Sequence, residues 1–128
     1  MPDNQTPGAD EGVITIFHNP SCTKSRNALD TLEERSLRYE RVDYVDAPPS
    51  RQTLELLVSL LVDPVHELIR TTDARFRALG LDPAAYKTSR AVVELLLVHP
   101  ELMQRPILVH HDRAVIARSA AALDLILG

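Results

Sequence analysis

Val13-Ile14-Thr15-Ile16-Phe17 runs directly into His18-Asn19-Pro20-Ser21-Cys22-Thr23-Lys24-Ser25-Arg26, and the fold follows from how that junction is read. The first five residues are rich in β-branched side chains and apolar on both faces, the pattern of a strand buried between two layers. Asn19-Pro20 breaks the strand. From Thr23 to about Glu34 the apolar positions Ala28, Leu29 and Leu32 recur at helical spacing, which predicts a first helix starting just after Cys22. The only cysteine of the chain therefore stands at a helix N-terminus. There the first backbone N–H groups lack internal partners and the helix dipole is positive, so a thiolate is favoured and the thiol pKa falls. Lys24 and Arg26 add positive charge in the first turn, and His18 lies four residues upstream. A buried structural cysteine is the plainer alternative, but Ser21, Thr23, Lys24 and Ser25 make poor core neighbours.

Outward from this junction, Leu37 to Val45 reads as a second strand ended by Asp46-Ala47-Pro48-Pro49. Ser50 caps a helix that carries Leu54, Leu57, Val58 and Leu61 on one side and ends near Val62. Asp63-Pro64 predicts a short capped helix through Arg70. Asp73 to Leu79, closed by Gly80, and Pro83 to about Tyr86, preceded by Asp82, are two further helical pieces. Ser89 to His99 is apolar almost all round, which predicts a helix buried on more than one side, and Pro100 stops it. Arg105 to Val109 is an apolar strand entered through Pro106. His110-His111-Asp112-Arg113 is its turn and Ala114 to Ala117 the return strand of a hairpin. Ser119 caps a last helix with Ala120, Leu123, Ile126 and Leu127 on one face.

The first two strands, joined by a helix, should be parallel and the last two antiparallel, giving a four-stranded mixed sheet in a thioredoxin-like α/β sandwich. A helical insertion from about residue 50 to 104 separates the two halves. Without an internal repeat or linker, residues 13–128 are expected to form one domain. Residues 1–12, polar with Pro2, Pro7 and Gly8, are expected to be a disordered leader.

A chain of 128 residues is long enough to bury a core without disulfide staples. A net charge of −4, dispersed arginines and 4% aromatics argue against nucleic acid as a partner. One cysteine, the lack of a membrane-length apolar run and of an apolar signal core predict a soluble protein of a reducing compartment, with the cytoplasm and a monomer as defaults. No metal site is expected. His110 and His111, adjacent on a strand, would point to opposite faces, and no further ligand follows at suitable spacing, so they read as a solvated turn.

His18 to Asn27 matches the H-N-P-x-C-x-x-S-R-N signature of the glutaredoxin-dependent arsenate reductases and their arsenate-reductase-like relatives. Arg70, Arg105-Pro106-Ile107 and Arg118 follow in that family's order, and the chain resembles it over nearly everything after Gly12. The resemblance implies that Cys22 attacks arsenate while Arg70, Arg105 and Arg118 hold the oxyanion. It implies that His18 tunes the pKa of Cys22 through positive charge or a hydrogen bond, and that the Arg105–Pro106 bond is cis. It further implies glutathione as co-substrate, glutaredoxin as partner and no bound cofactor. After Arg118 the sequence departs from the family, with Ser119-Ala120-Ala121 where a proline is usual, which predicts a looser loop.

The residues also speak for themselves. A tetrahedral dianion calls for planar guanidinium donors and free N–H groups at a helix start, and this chain offers both. Ser25, one turn after Cys22, can bring its hydroxyl near the sulfur, Asn19 can brace the loop, and Arg26 can support it. Ser25 also stands where a dithiol oxidoreductase has its second cysteine, so no internal disulfide can close and the reductant must come from outside. Two other readings use the same parts. A non-enzymatic redox-sensing regulator of the same superfamily would commonly use a Cys-x-x-Cys switch, which Ser25 removes. A general glutathione-linked thiol reductase would need no set of three arginines.

Overall fold

The structure is a computed structural model that describes residues 12–127. The expected leader, apart from Gly12, lies outside the described residues. Strands β1 (Ile14–His18), β2 (Tyr39–Asp43), β3 (Ile107–His110) and β4 (Arg113–Ile116) form one sheet in the order β2-β1-β3-β4. β1 is parallel to β2 and antiparallel to β3, and β3 is antiparallel to β4. The helices are α1 (Thr23–Glu34), α2 (Arg51–Leu60), α3 (Ala74–Ala78), α4 (Ser89–Val98) and α5 (Ala120–Leu127). Short 3-10 turns cover Val65–Leu68, Pro83–Ala85 and Pro100–Leu102.

Side-chain alternation along the strands sorts the core into two layers. Ile14, Ile16, Leu108, Val115 and Ala117 pack with Ala28 and Leu32 of α1 and Leu123 and Ile126 of α5. Phe17, Val42, Ile107, Val109, Ala114 and Ile116 face the opposite way, against Leu54 and Leu57 of α2 and Val92, Val93 and Leu96 of α4. The helices between β2 and β3 thus cover one face, and α1 with α5 covers the other. Each fully buried large apolar side chain contributes roughly 1.5–3 kcal/mol.

Local chemistry sets the ends of the elements. α1 finishes with Ser36 in the left-handed region (φ 55°), and the N–H groups of Leu37 and Ser36 donate to the carbonyls of Leu32 and Glu33 at 3.0 Å. This motif satisfies the last free carbonyls and turns Leu37 back onto the core beside Leu32. Ser50 Oγ accepts from the Thr53 N–H, Asp73 from Arg75, Asp82 from Ala84 and Thr88 from Ala91, so four helical starts in the insertion are closed by a Ser, Thr or Asp cap.

Four expectations change. Asp63 does not cap a helix: its carboxylate accepts from the Ile116 N–H at 2.9 Å, and Val62 N–H donates to the Ala114 carbonyl at 2.9 Å. Residues 61–63 therefore cover the outer edge of β4, and the predicted helix through Arg70 shrinks to a 3-10 turn that ends at Leu68. The hairpin turn is only His111-Asp112, because His110 and Arg113 pair with each other in the ladder, and His111 takes φ 57° as a two-residue turn demands. α4 is buried on one side only, with Glu94 and Val98 exposed. Ala120 is exposed, and Ala122 packs against the core in its place.

Candidate active site

Cys22 is the N-cap residue of α1, extended at φ −102° and ψ 124°, which sets it just ahead of the helix's first N–H groups. The loop before it is self-braced. Asn19 Oδ1 accepts from the Ser21 N–H at 2.9 Å, and the Asn19 carbonyl accepts from the Cys22 N–H at 3.0 Å, closing a tight turn. Arg26 reaches back to donate to the Pro20 carbonyl and the Thr23 hydroxyl, both at 3.3 Å. Ser25 is fully buried and its hydroxyl accepts from the Asn19 N–H at 3.4 Å. The Ser25 hydroxyl thus braces the loop, and Ser25 also turns its backbone N–H towards Cys22.

Burial is the largest single influence on the Cys22 thiol and pushes its pKa up. It is outweighed by the Ser25 N–H, the Arg105 guanidinium, the Lys24 N–H and the charge of Arg105, so the thiol sits below its ordinary value. No formed cap hydrogen bond reaches the sulfur; the effect is that of several donors and one cation facing it. His18 is 2% exposed at the end of β1, and its Nδ1 has no hydrogen-bond partner among the described residues. Burial, the largest influence, holds the imidazole below its ordinary pKa against the pull of Asp43, with Arg41 and Arg26 acting in the same direction as burial. Burial and the two arginines thus favour the neutral imidazole over the positive charge that was one of two expectations for His18, and the cation acting on the sulfur is Arg105.

Three loops bring arginines to Cys22. Backbone pairing of Ile69 with Met103, together with Arg70 N–H to the Leu102 carbonyl at 2.8 Å and Gln104 N–H to the Leu68 carbonyl at 2.7 Å, lays the Arg70 segment alongside the Arg105 segment. Arg70 is oriented by an ion pair from its Nη1 to Asp73. Arg105 precedes Pro106 through a cis peptide bond, just before β3. Arg118 follows β4 and lies 3.8 Å from Glu67. Ser119, next in sequence, anchors the loop by accepting from the Ala122 N–H at 3.2 Å through its hydroxyl and from the Leu123 N–H at 3.1 Å through its carbonyl. The serine that stands where proline is usual thus ties the residue after Arg118 to the first turn of α5.

Cys22, Thr23, Lys24, Arg70, Thr72, Gln104, Arg105 and Arg118 wall one cavity of about 430 Å³. The thiol and the three arginines singled out in the sequence, far apart along the chain, thus meet in one place. His18 and Arg26 line a different hollow of about 420 Å³ behind the loop, with Asp30 and Arg41. Tyr44 escaped the sequence reading. It is fully buried and donates to the Met103 carbonyl at 3.2 Å. Burial is the main reason its pKa is raised, against the opposing pull of Arg105, Asn19 and Arg70, so the phenol stays neutral with its oxygen facing Arg105. Asp73, Thr72 and Gln104 were also missed as site residues; only the cap position of Asp73 was visible. Chemically, the cavity offers a sulfur nucleophile of lowered pKa in a space lined by four cationic residues, suited to an electrophile that carries anionic oxygens. Among the described residues no group of three or more His, Cys, Asp or Glu is placed to hold a metal ion.

A model of the ArsC family matches residues 17–125. A Neisseria meningitidis protein named arsenate reductase is 35% identical over 115 residues, spanning 89% of this chain and 97% of its own length. A Rhizobium meliloti protein of the same name is 35% identical over 98 residues, 76% of this chain and 69% of its own. Among solved structures, one titled arsenate reductase from Vibrio cholerae superposes with a TM-score of 0.79 at 28% identity, covering 92% of this chain and all of that one. The sheet, its flanking helices and this likeness make the fold thioredoxin-like.

Proposed function

Since the chain belongs to the ArsC family, we propose that it reduces arsenate to arsenite through a single-cysteine mechanism, with glutathione as co-substrate and glutaredoxin as the partner that restores the enzyme. The observation that carries this reading is the shared cavity of Cys22 with Arg70, Arg105 and Arg118. Arsenate enters as a tetrahedral anion, its oxygens held by the guanidiniums and by the N–H groups at the start of α1. The Cys22 thiolate attacks arsenic(V), an oxygen leaves as water, and an S–As bond forms. Guanidinium groups offset the charge carried by the remaining oxygens as the bond is made.

With one cysteine in the chain, the next sulfur must come from outside. An incoming glutathione thiolate attacks the adduct. As the S–As bond breaks, its electron pair stays on arsenic, which falls from As(V) to As(III), and the two sulfurs are left joined as a mixed disulfide. Glutaredoxin then takes the glutathione moiety and frees the Cys22 thiol. The three arginines favour this reading over a thiol reductase acting on disulfides, for which they would have no purpose. The test is arsenite formation from arsenate with glutathione and glutaredoxin. Wild type is expected to turn over and Cys22→Ser to lose all activity; a wild type that forms no arsenite overturns the reading.

A further inference from the structure

Beside the cavity that holds Cys22 lies a second, larger one of about 590 Å³. The two are neighbours in a strict sense, since Thr72, Gln104 and Arg118 belong to the walls of both. Its own lining brings charges of both signs: Lys87 as the cation, Asp82 and Glu67 as the anions. Among the described residues Lys87 makes no ion pair, Asp82 uses one carboxylate oxygen on the Ala84 N–H, and Glu67 lies 3.8 Å from Arg118. These are charged groups with spare capacity around a hollow in the ~300–1,000 Å³ range typical of small-molecule sites.

We propose that this second cavity is where the co-substrate proposed above, a zwitterionic thiol peptide, is held while its sulfur approaches the Cys22 adduct. The inference rests on the single-cysteine reduction proposed above, and it places the co-substrate where that reading leaves it unplaced. A second sulfur has to reach the Cys22 adduct while arsenic oxygens still occupy the first cavity, so its approach must come from an adjoining space. The shared wall provides that approach. A tripeptide with two carboxylates and one ammonium finds Lys87 and Arg118 for the former and Asp82 or Glu67 for the latter, and its amide groups meet Thr71, Thr72 and Gln104. An uncharged dithiol would leave the charged wall without partners. Arg118 then serves both ligands, facing the oxyanion on one side and the peptide on the other.

The test titrates isotope-labelled wild-type protein with S-methylglutathione, which has the charges of the tripeptide but no thiol. Saturable backbone amide shifts are expected at Thr71, Thr72, Lys87 and Gln104. Lys87→Glu, at an exposed position without packing duties, should weaken binding by about fivefold or more, as expected for reversing one solvent-accessible charge contact. Shifts confined to Cys22, Thr23 and Lys24 would mean that a carboxylate merely fills the oxyanion cavity, and would overturn the proposal. So would an affinity unchanged in Lys87→Glu, or the absence of shifts. Arsenite formation by the same wild-type preparation separates the two levels: turnover without binding in the second cavity sinks this site alone, and binding there without turnover sinks the reading on which it rests.

Discussion

At the scale of single residues the site is an arrangement that lowers the pKa of one sulfur while its own burial opposes that. Arg105 is the one side chain that supplies both a hydrogen-bond donor and a full charge beside Cys22, and after the Ser25 N–H it is the next influence that lowers the thiol pKa. Replacing it by methionine removes both and retains most of the volume. The midpoint of the pH dependence of Cys22 alkylation by iodoacetamide should therefore rise in Arg105→Met towards that of a free cysteine, from a wild-type midpoint below it. An unchanged midpoint would show that the helix N–H groups act alone. The same depression has a sign in stability: ionisation of Cys22 adds stability at pH above the unfolded-state pKa, and that increment is lost as pH falls through the lower folded-state value. Cys22, the arginines and the loop were legible because each carries its chemistry in its residue type and local spacing. Tyr44 was not, since its hydroxyl meets the chain 59 positions away at Met103, and nothing near it in sequence announces that partner.

Among elements, helices with a one-sided apolar pattern were readable almost to the residue, as α1 and the Ser50-capped α2 show. Where the reading went astray, a residue with a good local use was taken up by a distant one. Asp63-Pro64 has the form of a helix start, but the edge of β4 presented an N–H without a strand to receive it, and the Asp63 carboxylate, 53 residues away, took that place. Satisfying a partly buried backbone donor outweighed the capping preference. Asp63→Ala should accordingly lose about 1–3 kcal/mol of stability in urea unfolding, with Asp63→Asn, which retains an acceptor oxygen, recovering much of it. A loss below a few tenths of a kcal/mol in Asp63→Ala would mean that water replaces the carboxylate and that the contact is incidental. The hairpin turn follows similar logic, since ladder pairing extended through His110 and Arg113 and left only two residues to reverse the chain.

Taken whole, the molecule is a sheet with a helical layer on each side, and that much was present in the order of its strands and helices. Which face the middle helices would cover was not, because periodicity shows that a helix has an apolar side without showing what it meets. The answer places Leu96 of α4, 1% exposed, within the core layer that also contains Phe17 and Ile107. Leu96→Ala should cost about 2–5 kcal/mol by leaving a cavity there, read as a lower denaturation midpoint at unchanged slope. A loss well under 1 kcal/mol would show that α4 collapses freely onto the sheet.

One consequence follows from the order of the strands. With the flank of β4 occupied by residues 61–63, β2 is, among the described residues, the strand left with a side along which another chain could zip. That ribbon spells Tyr39-Glu40-Arg41-Val42-Asp43, three of its five side chains ionic and two of those, Glu40 and Arg41, exposed. Amyloid-like or swapped growth along it would have to crowd these charges against a neighbour's, so the molecule guards its open margin with the same strand that braces β1 and the nucleophile's loop.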